Sequence, residues 1–178
     1  MQVDDRNGFA PYSHSLYVLG TLILWMGWLC FNSCSGIFLN TPEQQEWARR
    51  SMVNSIISPS AGGLHAYILR NYILNRGEGK YKRYDMSTVT NGILIGAVAI
   101  TGCCHQVEPW AACAIGFISV YFYMAGHIIM DKIGLDDALE AVQVHFFGGM
   151  WGIIAVAFFS KDIGILYSHP GSGRLLGV

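Results

Sequence analysis

Residues 16–34, LYVLGTLILWMGWLCFNSC, run for 19 positions without a Lys, Arg, Asp or Glu. A helix rising ~1.5 Å per residue needs about 20 apolar residues to cross a hydrocarbon core of ~30 Å, so this stretch reads as a membrane span. Four more charge-free stretches follow at 52–69, 86–104, 109–130 and 141–159, with 18, 19, 22 and 19 residues. All 11 basic and 12 acidic residues fall outside the five. Only 13% of the 178 residues are charged, against roughly 25% in an average soluble domain. The expected fold is all-α, a polytopic transmembrane helix bundle of about five spans. The same balance excludes disorder, collagen and a small disulfide scaffold. A net charge of −1 gives no footing for nucleic acid.

The spans differ in quality. The second, MVNSIISPSAGGLHAYIL, holds four Ser/Asn residues, Pro59, two glycines and His65. It would insert poorly alone and is expected inside the bundle, where neighbours satisfy a proline-broken backbone. Gly92 and Gly96 in the third span, and Gly148 and Gly152 in the fifth, are spaced to let helix backbones approach closely. Five cysteines (Cys30, Cys34, Cys103, Cys104, Cys113) lie in or beside the spans without a CxxC pair, and read as small buried thiols. The start, MQVDDRNGFAPYSHS, lacks the basic region and apolar core of a cleavable signal. Residues 70–85 carry five of the eleven basic residues, which places that loop and the N-terminus inside and the C-terminus outside.

Ionisable groups at membrane depth face a partner or a wet path. His65 and His127 lie near span ends, where packing or snorkelling accounts for them. His145 is different: if its helix starts near Asp137, it sits ~12 Å deep. Gly149 and Gly152 follow it at i+4 and i+7, giving its face little bulk. Trp28, Phe31 and Ser35 fall at i, i+3 and i+7 on one face at the expected outer end of the first span. Aromatic faces attract cations by roughly 0.5–2 kcal/mol and a hydroxyl adds an acceptor, although an interfacial aromatic belt explains the tryptophans equally well.

Three motifs in order carry a family resemblance. GTLILWMGWLCFNSCSG resembles the GTxILWFGWFGFNxGS signature of the ammonium transporter (Amt) family. NGILIGAVAITGCCHQVEPWAACAIG is similar to its NGxLAGLVAITxxCxxVEPWAAxxIG segment, and LDDALEAVQVHFFGGMWG to its DDPLDAxxVHGxGGxWG segment. VEPWAA looks like the Amt branch rather than the Rhesus glycoproteins. The five spans resemble the sixth to tenth of the family's eleven helices, so residues 1–178 are expected to be a partial ammonium transporter domain. The resemblance implies a gate phenylalanine at Phe31 and an ammonium-binding vestibule at Ser35 and Trp28. It further implies the second of two hydrogen-bonded pore histidines, a proton relay, at His145, and an inner-mouth carboxylate at Glu140.

What it implies about function is transport of ammonium or ammonia, with methylammonium as analogue, by homotrimers in a lipid membrane, the plasma membrane in the family. Ammonium is recruited at the outer aromatic and hydroxyl site and deprotonated, and ammonia moves through a histidine-lined pore. No catalytic residue, cofactor or metal is implied. The first histidine and the other gate phenylalanine belong to family helices outside this stretch. A non-conducting ammonium sensor or inert fragment, and a Rhesus-type gas channel, are the alternative readings. Two departures stand out. Cys34 replaces a glycine beside Ser35, and Phe146 and Phe147 stand where the family has small residues, positions from which they are expected to narrow the pore or disturb the imidazole.

Overall fold

Each charge-free stretch becomes a helix. The computed structural model describes residues 13–35, 39–70, 86–135 and 137–166. Its helices are α1 (His14–Cys34), α2 (Pro42–Ile68), α3 (Met86–Thr101), α4 (Pro109–Ile133) and α5 (Val142–Phe159). Within α5, Val142–Phe147 is wound as a π-helix and Gly148–Phe159 as an α-helix. There is no strand among the described residues.

The ends follow from local chemistry. The Thr41 hydroxyl accepts from the Gln44 amide while the Gln44 side chain accepts from Thr41 N, a reciprocal cap that starts α2 with Pro42 in its first turn. Pro109 likewise opens α4, and Gly134 closes it at φ +70°, a conformation that side chains disfavour.

α1, α4 and α5 are long and apolar enough to cross a membrane, while α3 is apolar but shorter at 16 residues. α2 has the length, 27 residues, without the hydropathy. Its polar residues are turned inward: Ser51, Asn54, Ser55, Ser58 and His65 are buried, together with Pro59, Gly62 and Gly63. The expectation that this weak span sits inside the bundle therefore holds. Pro59 has no N–H for the carbonyl four residues earlier, that of Ser55. Trp25 of α1 donates its indole N–H to that oxygen at 2.8 Å. Asn54 donates to the carbonyls of Cys104 and Val107, both at 2.8 Å, fastening the turn between α3 and α4.

Small residues set how closely the helices approach. A methyl on Gly96 would lie 2.7 Å from Ser58 O and 2.9 Å from Pro59 Cα, and one on Gly116 would meet the Ser58 backbone. Gly152 packs on Ala99 O in the same way, and Gly148 on Ile95. These pairs also fix direction. Ser58 faces Gly96 and Gly62 faces Gly92, so α2 and α3 are antiparallel, whereas Ile95 with Gly148 and Ala99 with Gly152 make α3 and α5 parallel. Alternating crossings are what five spans require. The loop that set the expected sidedness lies, at 71–85, outside the described residues.

At the end where α2 and α4 begin, Glu108 of the VEPW run draws in Lys161 and, at 4.0 Å, Arg50. Lys161 N donates to Gln106 O at 2.9 Å, which ties the chain after α5 to the α3–α4 turn. His105 packs its ring on Trp47 at 5.7 Å. Burial lowers the pKa of His105 from its ordinary value, and Asp162 opposes this in part.

Candidate functional site

α1 leans lightly on the bundle. Of its residues only Thr21, Asn32 and Ser33 are buried, and Leu16, Leu19, Ile23, Met26 and Phe31 are exposed. The seam where it meets α3 and α5 holds the candidate residues. Trp28 donates its indole N–H to Thr101 Oγ1 of α3 at 2.8 Å, and Thr101 in turn donates to Ala97 O. On its other side the indole lies nearly parallel to the His145 imidazole of α5, with ring centroids 6.2 Å apart and planes at 17°. Gly149, one turn beyond His145, has no atom near its Cβ position, so the imidazole edge of α5 is open. Phe31 and Ser35 follow Trp28 along α1 at i+3 and i+7, both exposed. The Ser35 hydroxyl donates to Phe31 O at 2.5 Å, which commits its proton to its own helix and leaves its oxygen free to accept.

A second cluster lies where α1 and α3 begin. Glu140, in the turn before α5, holds φ +55°, an uncommon conformation for a residue with a side chain. Its carboxylate is gripped from several helices. Oε2 accepts from Asn91 Nδ2 of α3 at 2.5 Å and from the Tyr123 hydroxyl of α4, while Oε1 faces His127 Nε2 at 3.8 Å. Tyr17 of α1 reaches Asn91 Oδ1 at 3.4 Å. At one end Trp28 bonds to α3 and faces the ring of His145 on α5; at the other Tyr17, Asn91 and Glu140 link α1, α3 and the turn before α5.

Comparison with known proteins matches this arrangement to one family. The family model described as Ammonium Transporter Family covers residues 1–176. This chain belongs to the ammonium transporter family. It is 35% identical over 170 residues to ammonium transporter 1 member 3 of Solanum lycopersicum, covering 92% of this chain and 35% of the relative. With ammonium transporter Amt2 of Archaeoglobus fulgidus it shares 36% identity over 168 residues, covering 92% and 33%. A solved structure of a "Sensor Amt Protein" superposes with a TM-score of 0.74 at 28% identity, covering 92% of this chain and 37% of that one. The chain thus spans about a third of the length of the curated relatives it matches. It is a membrane protein of the ammonium transporter fold.

Within that transporter fold the expected residues divide into two groups. Trp28 and His145 face each other, with Phe31 and Ser35 further along the face of α1, while Glu140 belongs to the cluster with Asn91 and Tyr123. Three expectations are corrected. α5 begins at Val142 rather than near Asp137, because Asp137–Glu140 forms a turn whose Asp137 carboxylate accepts from Val142 N at 2.7 Å. His145 is thus less than one turn from the helix start, and helical rise from Asp137 does not give its depth. Gly152 packs on α3, leaving Gly149 alone as the open glycine beside the imidazole. For Phe147 alone the expected crowding of His145 does not hold: it is 8% exposed and lies over Gly126 of α4, whereas Phe146 is exposed. The wider π-helical winding accommodates this split, and such segments recur at functional sites.

The cysteines divide as well. Cys103 and Cys104 are buried, and Cys30, Cys34 and Cys113 are exposed on the described chain. His65 is packed, as its position near a span end suggested, with its ring centroid 3.5 Å from that of Phe117. Sequence reasoning missed Thr101, Asn91, Tyr123 and Tyr17. Their signal was present in part, since Asn91 and Thr101 both lie within the NGILIGAVAIT run.

Proposed function

We propose that this chain supplies one side of an ammonium conduction path, along the seam of α1, α3 and α5. The observation that carries the reading is the Trp28–His145 pair. An indole pinned by Thr101 lies against an imidazole on an otherwise open edge, with a free hydroxyl acceptor at Ser35 beyond the exposed ring of Phe31. Ammonium is drawn to the aromatic faces and hydroxyl oxygen at Phe31, Ser35 and Trp28, which suit a small cation. Carrying the intact cation through an apolar passage is costly, so it gives up a proton to outer water and ammonia moves on. His145 offers a donor and an acceptor nitrogen to the migrating species. Glu140 marks the inner end, where its carboxylate meets ammonium again.

Family membership supports a transport rather than an enzymatic role, with assembly as a homotrimer and residence in the plasma membrane. The test is uptake of labelled methylammonium by cells or vesicles containing the native protein. Saturable uptake abolished by His145→Ala, with expression unchanged, is expected. Ligand binding without flux would instead identify a sensor and overturn conduction.

A further inference from the structure

His127 is a titratable group beside the proposed path that the reading above leaves unused. It lies on α4 with Nε2 3.8 Å from Glu140 Oε1, and its ring is nearly parallel to that of Tyr123, at 6.2 Å and 26°. Its Nδ1 is buried without a hydrogen-bond partner among the described residues, while the side chain as a whole is 38% exposed. The two oxygens of Glu140 are differently used. Asn91 and Tyr123 both donate to Oε2, so the oxygen turned to His127 is the one not already occupied by them.

We propose that His127 and Glu140 form a carboxylate–imidazole couple that delivers a proton to ammonia as it leaves the inner end of the path. The inference rests on the conduction reading and adds to it the residue that handles the proton at exit. An imidazole can both donate and accept a proton at its ring nitrogens, which suits exchange with water there. Glu140 provides a counter-charge when the ring is protonated. In each cycle the Nε2–H bond of the imidazolium breaks and its proton bonds to the lone pair of ammonia, Nδ1 being closed off by burial. Ammonium departs, and the neutral ring takes its next proton from inner water.

Among the described residues, other titratable groups come to this end of the bundle from several elements. On α4 itself they are Tyr123 and Asp131, one turn to either side. From the turn before α5 come Glu140 and Asp137, the latter accepting from the Val142 amide. From α1, Tyr17 acts on the cluster through Asn91, the uncharged residue that α3 contributes. α2 carries Arg70 at the same end.

The experiment is methylammonium flux in vesicles reconstituted with the native protein, at fixed outer pH, with inner pH varied from about 5.5 to about 8.5. Flux through the unaltered protein should depend on inner pH. His127→Gln should flatten the profile and lower flux about tenfold at neutral inner pH. That lies below the usual contribution of a positioned proton donor, since water at a part-exposed end substitutes in part. His127→Ala should regain flux when imidazole is added inside, a rescue that a merely structural role for the ring would not give. An unchanged inner-pH profile in His127→Gln, or no imidazole rescue of a folded His127→Ala, overturns the inference and leaves conduction standing. Absence of flux in the unaltered protein overturns the conduction reading and this inference with it.

Discussion

The contact between Trp25 and the proline in α2 can be tested by a double-mutant cycle. Trp25→Phe keeps most of the aromatic surface and removes the indole N–H that Ser55 O receives at 2.8 Å. Leaving a buried acceptor without its donor costs about 1–3 kcal/mol. The indole is only partly buried, so the lower half of that range is expected, about 1–1.5 kcal/mol. Pro59→Ala restores a backbone N–H that can reach the same carbonyl in a continuous helix. In that background Trp25→Phe should therefore cost less than about 0.5 kcal/mol, leaving a coupling near 1 kcal/mol. Thermal melts of the four proteins in one detergent read this out. A chain of this size shifts by about 2–4 °C per kcal/mol. Trp25→Phe should lower Tm by roughly that amount with Pro59 present, and by less than half of it in the Pro59→Ala background. If the two substitutions add to within about 0.3–0.5 kcal/mol, the indole is not the donor that compensates for Pro59, and the reasoning fails.

Other outcomes follow from the same contacts. Thr101→Val removes the oxygen that fixes the Trp28 indole; methylammonium flux should fall several-fold at unchanged yield, while Thr101→Ser keeps it. Gly116→Leu would drive a side chain into the Ser58 backbone, at a cost exceeding the usual ~1–3 kcal/mol of overpacking, so folded protein should be lost on size-exclusion chromatography. For His105, burial depresses the folded pKa below the unfolded value near 6.5, so its contribution is complete above about pH 6.5 and is lost as pH falls toward the folded value. Wild-type Tm should therefore drop between about pH 7 and 5, and drop less in His105→Asn.

How much of this was legible beforehand depends on the kind of contact involved. The five helices follow from the absence of charge over 18 to 22 residues, a property of single stretches. The glycine pairs were legible as places of close approach, because a missing side chain has one main use between membrane helices. The start of the helix that carries His145 was misjudged because Asp137 both caps and precedes that helix. A carboxylate bound to Val142 N looks in sequence like the helix's own first turn. Thr101, Asn91 and Tyr123 were not found as site residues, because each matters only through a partner on another helix. Thr101 is one more small polar residue until Trp28, 73 positions away, donates to it.

The contrast between α1 and α2 explains why hydropathy misranked the spans. α1 is apolar on its exposed flanks and keeps Asn32 for Ser55, at 2.8 Å. α2 is less apolar because the face it turns to the bundle is built of small polar residues, whose Ser and Asn side chains serve carbonyls that lipid would leave unpaired, while Met52, Val53, Ile56 and Leu64 stay exposed. Hydropathy thus reports how much of a helix lipid must cover, not whether it crosses. Polar α2 anchors the bundle, and α1, held by a few polar contacts, lines an open seam. An open edge carrying Trp28, Ser35 and His145 suits the conduction proposed above, because a seam closed by large side chains would leave ammonia no room to pass.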